Sequence, residues 1–129
     1  MFGRRAMGES IERADFADRW RIRRNGLLVH AEDFAVGLNA GRQLAAPPAL
    51  GNTTCVGTVL VLSDDADRQL DAVRAILGKA GAASAWTVAG SGKLLARLTA
   101  KDGYHLRKRL IPLIELLNRR AGLPKVWTL

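Results

Sequence analysis

Cysteine occurs once in these 129 residues, at Cys55, so no internal disulfide can form and no Cys-x-x-Cys pair exists to hold a structural zinc. Its apolar surroundings predict a small buried hydrophobe. Histidine is nearly as scarce, with only His30 and His105, and neither stands in a catalytic signature. His30 falls in a strand pattern and His105 in the first turn of a helix. Aromatic residues make up 5% of the chain and are not interleaved with the arginines as a base-stacking platform would need. The longest apolar run, around Val59 to Leu62, is far short of the roughly 20 residues of a membrane-spanning helix. The arginine-rich opening has no apolar signal core. Together these absences predict a soluble, cytoplasmic protein without a membrane span.

Basic residues are plentiful: 20 Lys and Arg against 12 Asp and Glu give a net charge of +8. Such an excess invites a polyanion, because clustered cations release counterions from nucleic acid. The arginines are instead spread over three regions, Arg4 to Arg24, Arg97 to Arg109, and Arg119 with Arg120. Dispersed charge of this kind fits a solvated surface or a docking face for an acidic protein. A basic nucleic-acid-binding α+β module therefore stands as the alternative reading.

Hydrophobic residues at 48% are enough to fill one core in a chain of this length, so residues 1–129 are expected to form a single α+β domain, rich in strands. The stretch from Gly3 to Glu32 organises it. In Arg19 to Arg24, Trp20 and Ile22 alternate with Arg19, Arg21 and Arg23, which sorts apolar and cationic side chains onto opposite faces of a strand. Asn25-Gly26 readily supplies two successive positive φ angles for a tight turn, and Leu27 to Glu32 returns as the second strand. Ser10 to Phe16 reads as a short strand leading in, Ala17-Asp18 as a bend or bulge, and Phe34 to Leu38 as a separate extended piece. Residues 45–52 are a loop around two adjacent prolines.

Thr53 to Leu62 is β-branched and almost continuously apolar, which predicts a central strand covered on both faces. Ser63-Asp64-Asp65 offers side-chain oxygens to cap a helix over about 65–77, where Ala66, Leu70, Val73 and Leu77 form one stripe, ended by Gly78 with Gly81 as turn chemistry. Ala85 to Val88 and Lys93 to Ala100 read as a hairpin joined by residues 89–92. Asp102 caps a helix over about 103–120 with Leu106, Leu110, Leu113, Ile114 and Leu117 inward, and Pro112 predicts a kink or break. Leu123 to Trp127 is expected to be an extended tail packed on the core.

No catalytic centre emerges. Gly90-Ser91-Gly92 lacks the helix and lysine of a phosphate loop, and Asp64, Asp65 and Asp67 lack calcium-loop spacing. Glu9 and Glu32 are the more informative carboxylates, since both lie among apolar or tight-turn neighbours. They either form structural ion pairs with Arg4 or Arg5, or line a passage that holds a divalent metal weakly through oxygen donors.

GRRAMGE at Gly3 to Glu9, the D-x-W-x-I-x-R strand and the turn before L-x-x-A-E together resemble the urease accessory protein UreD family, called UreH in some organisms. The resemblance runs on through the alanine-proline loop, TTCVGTVLVL, the SAW triplet at Ser84 to Trp86, KLLARLTAKDGYHLRKRLIPL at Lys93 to Leu113, and LPKVW at Leu123 to Trp127. It implies a non-catalytic scaffold of stacked β-strands and two helices that joins UreF and UreG to deliver nickel into apo-urease, with transient nickel passage and no tightly bound cofactor. Gly3, Arg4, Ala6, Met7, Gly8, Glu9, Trp20, Arg24, Glu32, Ser84 and Trp127 are carried over as motif positions. The match is to the C-terminal half of such proteins, so Met1 is expected to be an internal or truncated start, with open sheet edges that favour self-association.

Overall fold

The computed structural model describes residues 15–37, 53–118, 123 and 125. The expected lead-in strand before residue 15, the proline loop at 45–52 and three of the five tail residues at 123–127 lie outside them. The chain forms two compact units, Met1–Thr54 and Cys55–Leu129.

In the first unit, strands β1 (Phe16–Arg24) and β2 (Leu27–Val36) pair antiparallel. Asn25 and Gly26 adopt φ of 50° and 80°, so the turn is the tight form expected from the dipeptide. Two local expectations are corrected. Ala17-Asp18 continues β1 without a bend, paired with Ala35 and Phe34, so Phe34 to Val36 belongs to β2 rather than to a separate piece. The irregularity falls between Ile22 and Arg23, where the register passes from Ile22↔His30 to Arg23↔Leu28 and leaves Val29 as the extra residue of a bulge. Consequently Val29 and His30, adjacent in sequence, are both buried, where strict alternation would have exposed one of them.

The second unit holds β3 (Cys55–Leu62), α1 (Leu70–Leu77), β4 (Gly81–Val88), β5 (Ser91–Ala100) and α2 (Gly103–Leu117). Its antiparallel sheet has the order β3-β5-β4. The expectation that Thr53 to Leu62 is central is therefore wrong, and β5 takes that place. The reason is topological: a two-residue turn fixes β4 against one edge of β5, and β3 aligns along the other, with Cys55 opposite Ala100 and Leu62 opposite Lys93. Apolarity on both faces of β3 reflects half-burial along nearly its whole length. The connecting turn is Ala89-Gly90, with φ of 48° and 74°, and Ser91 and Gly92 already belong to β5.

Val73 and Leu77 of α1, Leu110 and Leu113 of α2, and Leu94, Ala96 and Leu98 of β5 form one buried cluster with Ala66 and Ala83. Gly57 lets α2 approach β3, since a Cβ there would stand 3.2 Å from Leu98 and 3.4 Å from Leu106. Gly81 lies inside β4 and not in a turn, and its missing Cβ leaves room for the backbone of Arg97 and Leu98.

The helix ends differ from one another. Before α1 the chain makes a 3-10 turn, Ala66–Gln69, and no side chain caps it. The Ser63 hydroxyl donates instead to the Asp65 carboxylate, and Ala66 N–H donates to the Ser63 carbonyl at 3.1 Å. Gly78 closes α1 at φ 53°, as expected. Arg109 donates across from α2 to the carbonyls of Ile76 and Leu77 at 3.5 and 3.3 Å, and Arg74 donates to Ala83 at 3.1 Å. Helix α2 runs through Pro112 as one continuous element, so of the expected kink or break the break does not occur.

Candidate functional site

The first hairpin carries most of the chemistry that can be placed. Cross-strand pairing puts Asp18, Trp20 and Ile22 opposite Phe34, Glu32 and His30, and therefore on one face. His30 is 6% exposed, and the Glu32 side chain 20%. Their Nε2 and Oε2 atoms stand 3.4 Å apart, as follows from i and i+2 positions sharing a strand face. The Trp20 indole meets the His30 ring edge-on, at 5.9 Å between centroids and 79° between planes. Trp20 is itself anchored, because its Nε1–H donates to both oxygens of Asp18 at 3.0 and 3.1 Å. Phe16 and Phe34 pack edge-on further along, at 6.1 Å.

The opposite face is cationic but internally compensated. Asp33 accepts from Arg19 Nε at 2.6 Å and from an Arg21 terminal nitrogen at 2.5 Å. The Arg21 guanidinium, followed by that of Arg19, holds the Asp33 carboxyl below its ordinary 3.8. Arg21 also donates to the carbonyls of Trp20 and Glu32, at 2.7 and 3.0 Å, while Arg23 donates to Gly26 at 3.1 Å. At the tip, Leu27 and Leu28 are exposed opposite Arg24 and Arg23. An exposed leucine beside a guanidinium group on each face of the tip suits a protein surface better than a phosphate backbone.

Of the expected motif positions, the structure places Trp20 and Glu32 together on the inner face, Arg24 at the exposed tip, and Ser84 on the exposed side of β4 opposite Leu95. Gly3, Arg4, Ala6, Met7, Gly8, Glu9 and Trp127 lie outside the described residues, and with them the proposed pairing of Glu9 or Glu32 to Arg4 or Arg5. The sequence reading missed His30 as the neighbour of Glu32. The i, i+2 spacing inside a recognised strand was the available signal.

The second unit contributes less. Cys55 is fully buried, as expected. Lys93 is 6% exposed, lies 4.8 Å over the Trp86 ring, and has its pKa lowered by burial. Beside Trp86 an open depression of about 210 Å³ is lined by Asp64, Asp67, Thr87, Gly90 and Gly92. Among the described residues no three His, Cys, Asp or Glu side chains converge as a metal cluster, and no helix is long and apolar enough to cross a membrane.

Asp102 is the helix cap the sequence predicts. Its carboxylate accepts from the His105 backbone N–H at 2.8 Å and stands 2.7 Å from His105 Nδ1. The backbone hydrogen bond, followed by the ring contact, depresses the carboxyl below its ordinary 3.8. A depressed carboxylate adds stability that is complete above the unfolded-state value and lost as pH falls through the folded-state one. Asp102→Asn, which keeps the cap but cannot ionise, should therefore lose less stability than the parent when urea midpoints are compared from pH 5 down to pH 2. Equal acid sensitivity of the two proteins would remove Asp102 from the account.

Comparison with known proteins extends this picture along the whole chain. The family model described as UreD urease accessory protein matches residues 1–128. The chain is 55% identical over 129 residues to the urease accessory protein UreD of Mesorhizobium japonicum and 50% identical to that of Brucella suis, covering 100% of this chain and 46% of each relative. It is 51% identical over 132 residues to urease accessory protein UreD 1 of Brucella anthropi, covering 99% of this chain and 47% of that one. The chain thus spans just under half the length of the curated relatives it matches. With one family model matched over 128 of its 129 residues and identities of about half to its named members, the chain belongs to the UreD urease accessory protein family.

Proposed function

We propose that this chain serves urease maturation as a non-catalytic cytoplasmic scaffold, binding UreF and UreG and assisting nickel insertion into apo-urease. The observation that carries the reading is the family match over residues 1–128. Supporting it locally, the hairpin tip exposes Leu27 opposite Arg24 and Leu28 opposite Arg23, a surface suited to an acidic protein partner. Nickel is cargo in this scheme. Glu9 and Glu32 are the proposed carboxylates along its path, and no tightly bound cofactor takes part. Residues 1–129 act as one portion of the longer UreD architecture, and the outer edges of β3 and β4 are where copies of the chain would self-associate.

The test is retention of partners. Tagged chain incubated with urease-positive lysate should co-purify with UreF and UreG, identified by mass spectrometry. Loss of both would refute the scaffold reading.

The +8 charge favours a second reading, binding of nucleic acid, for which micromolar affinity with a steep salt slope is expected. Against it, Arg19 and Arg21 share Asp33, and Arg23, Arg74 and Arg109 are engaged with backbone carbonyls.

A further inference from the structure

The three-stranded sheet of the second unit ends on β3 and on β4, and the two edges are not alike. We infer that the outer edge of β3 is a pairing surface for a second copy of this chain, with β3 antiparallel to β3 about a two-fold axis at Val59. The inference rests on the self-association proposed above and deepens it, because it selects one edge and fixes a register.

Which main-chain groups face outward follows from a single hydrogen bond. Ser63 N–H donates to the Gly92 carbonyl at 3.0 Å, one step beyond the pair Leu62↔Lys93. Bonded and non-bonded pairs alternate along an antiparallel ladder, so Gly57, Val59 and Val61 are the residues bonded to Leu98, Ala96 and Leu94. Val56, Thr58, Leu60 and Leu62 therefore turn their N–H and C=O groups away from β5. The same alternation carried across β5 turns Gly81, Ala83, Ala85 and Thr87 outward on β4. Arg74 agrees with that assignment: its Nε–H donates to the Ala83 carbonyl at 3.1 Å and closes the middle of the β4 edge. Among the described residues no side chain makes the corresponding bond to Val56, Thr58, Leu60 or Leu62, and no strand lies beyond them.

The occupant follows from the composition of the strand. Edge strands are kept apart from one another by lysine, proline or inward-pointing charge, and Cys55–Leu62 contains none of these. Pairing about Val59 sets Thr58 against Leu60 of the second copy, Val56 against Leu62 and Gly57 against Val61. No like charges meet. All the outward residues fall in bonded pairs, which gives about eight main-chain hydrogen bonds across the axis. Val56, Thr58, Val59 and Val61 are β-branched and suit the extended pairing. The two-fold uses the same patch on both copies and closes on itself, so a dimer forms and not a fibre.

The experiment uses the full chain. Sedimentation should show a monomer–dimer equilibrium that moves toward dimer as salt is added, because each copy carries a charge of +8 and screening weakens their repulsion. An assembly that dissociates with salt is bridged by a polyanion and overturns the inference. Amide hydrogen exchange on the unmodified chain reads the edge directly. The N–H groups of Val56, Thr58, Leu60 and Leu62 should exchange about tenfold more slowly once dimer outnumbers monomer tenfold, while those of Ala85 and Thr87 keep their rates. Thr58→Pro removes an outward N–H, leaves the β5 ladder intact and should abolish the dimer. Thr58→Lys should do the same by restoring an edge charge. Thr87→Pro, the matching change on β4, should dimerise as the parent does. A dimer whose β3 amides stay unprotected, or one that survives Thr58→Pro, overturns the choice of edge and leaves self-association standing. A chain that stays monomeric overturns both. The exchange measurement needs no variant, so a folding defect in either proline variant leaves it decisive. Retention of UreF and UreG is scored separately, so the scaffold reading can fail while the pairing stands.

Discussion

Replacing Leu113 by alanine is expected to remove about 2 to 5 kcal/mol of unfolding free energy, a large part of the 5 to 15 kcal/mol that small domains possess. Leu113 is 0% exposed and belongs to the cluster that joins α2 to β5 and α1. Truncation loses the transfer energy of its methyl groups and leaves a cavity that rigid neighbours fill only in part. Tyr104→Ala on the same helix is the control: Tyr104 is 70% exposed, and its loss should stay within about 0.5 kcal/mol. Urea titrations with unchanged slope and a shifted midpoint provide the measurement. Similar midpoints for the two variants would mean that α2 is not held by the contacts described.

Gly92→Ala should cost about 1 to 3 kcal/mol or more, through overpacking rather than cavity formation. Gly92 is half-buried just before the buried part of β5, and its carbonyl accepts from the Ser63 N–H at 3.0 Å. A Cβ there would fall well inside van der Waals contact of the Ser63 carbonyl and 3.5 Å from Ala66, so the end of β3 and the start of the 3-10 turn would have to move apart. The local signature is faster amide exchange at Ser63, together with the lower midpoint. Gly90→Asn two residues away separates crowding from conformation: Gly90 has φ 74° with open space around it, and asparagine tolerates that backbone region, so little change is expected. Equal losses at both positions would contradict the close approach.

The sequence was most informative where a local rule is stereochemically strict. Asn25-Gly26, Gly78 and Asp102 each stand where their chemistry predicts, and the alternation in Arg19 to Arg24 defined both faces of the hairpin. Errors arose where competing arrangements satisfy the same pattern. An apolar run such as Cys55 to Leu62 fits either a central strand or a half-buried edge, and only the pairing of β5 with both neighbours decides between them. Ser63, Asp64 and Asp65 look like caps, yet Ser63 and Asp65 hydrogen-bond to each other and the helix opens with a 3-10 turn. The bulge at Val29 has no Gly or Pro to announce it, so the joint burial of Val29 and His30 was not readable in advance. Of the candidate site, Glu32 stood out by its apolar strand neighbours and Trp20 by the alternation with the arginines, both being family motif positions as well, while the placing of His30 beside Glu32 needed the strand face to be seen.

The way the arginines are used bears on which substitutions this protein tolerates. Arg21 reaches two main-chain oxygens and a carboxylate at once, and Arg109 spans two successive carbonyls at the end of α1. A planar fork with five N–H groups can serve several acceptors together, whereas an ammonium on a flexible stem offers a single nitrogen. Lysine at position 21 or 109 would preserve the isoelectric point and still let the strands and helix ends drift. These guanidinium groups act as splints, and the alkaline character of the polypeptide is in part a by-product of how its segments are braced.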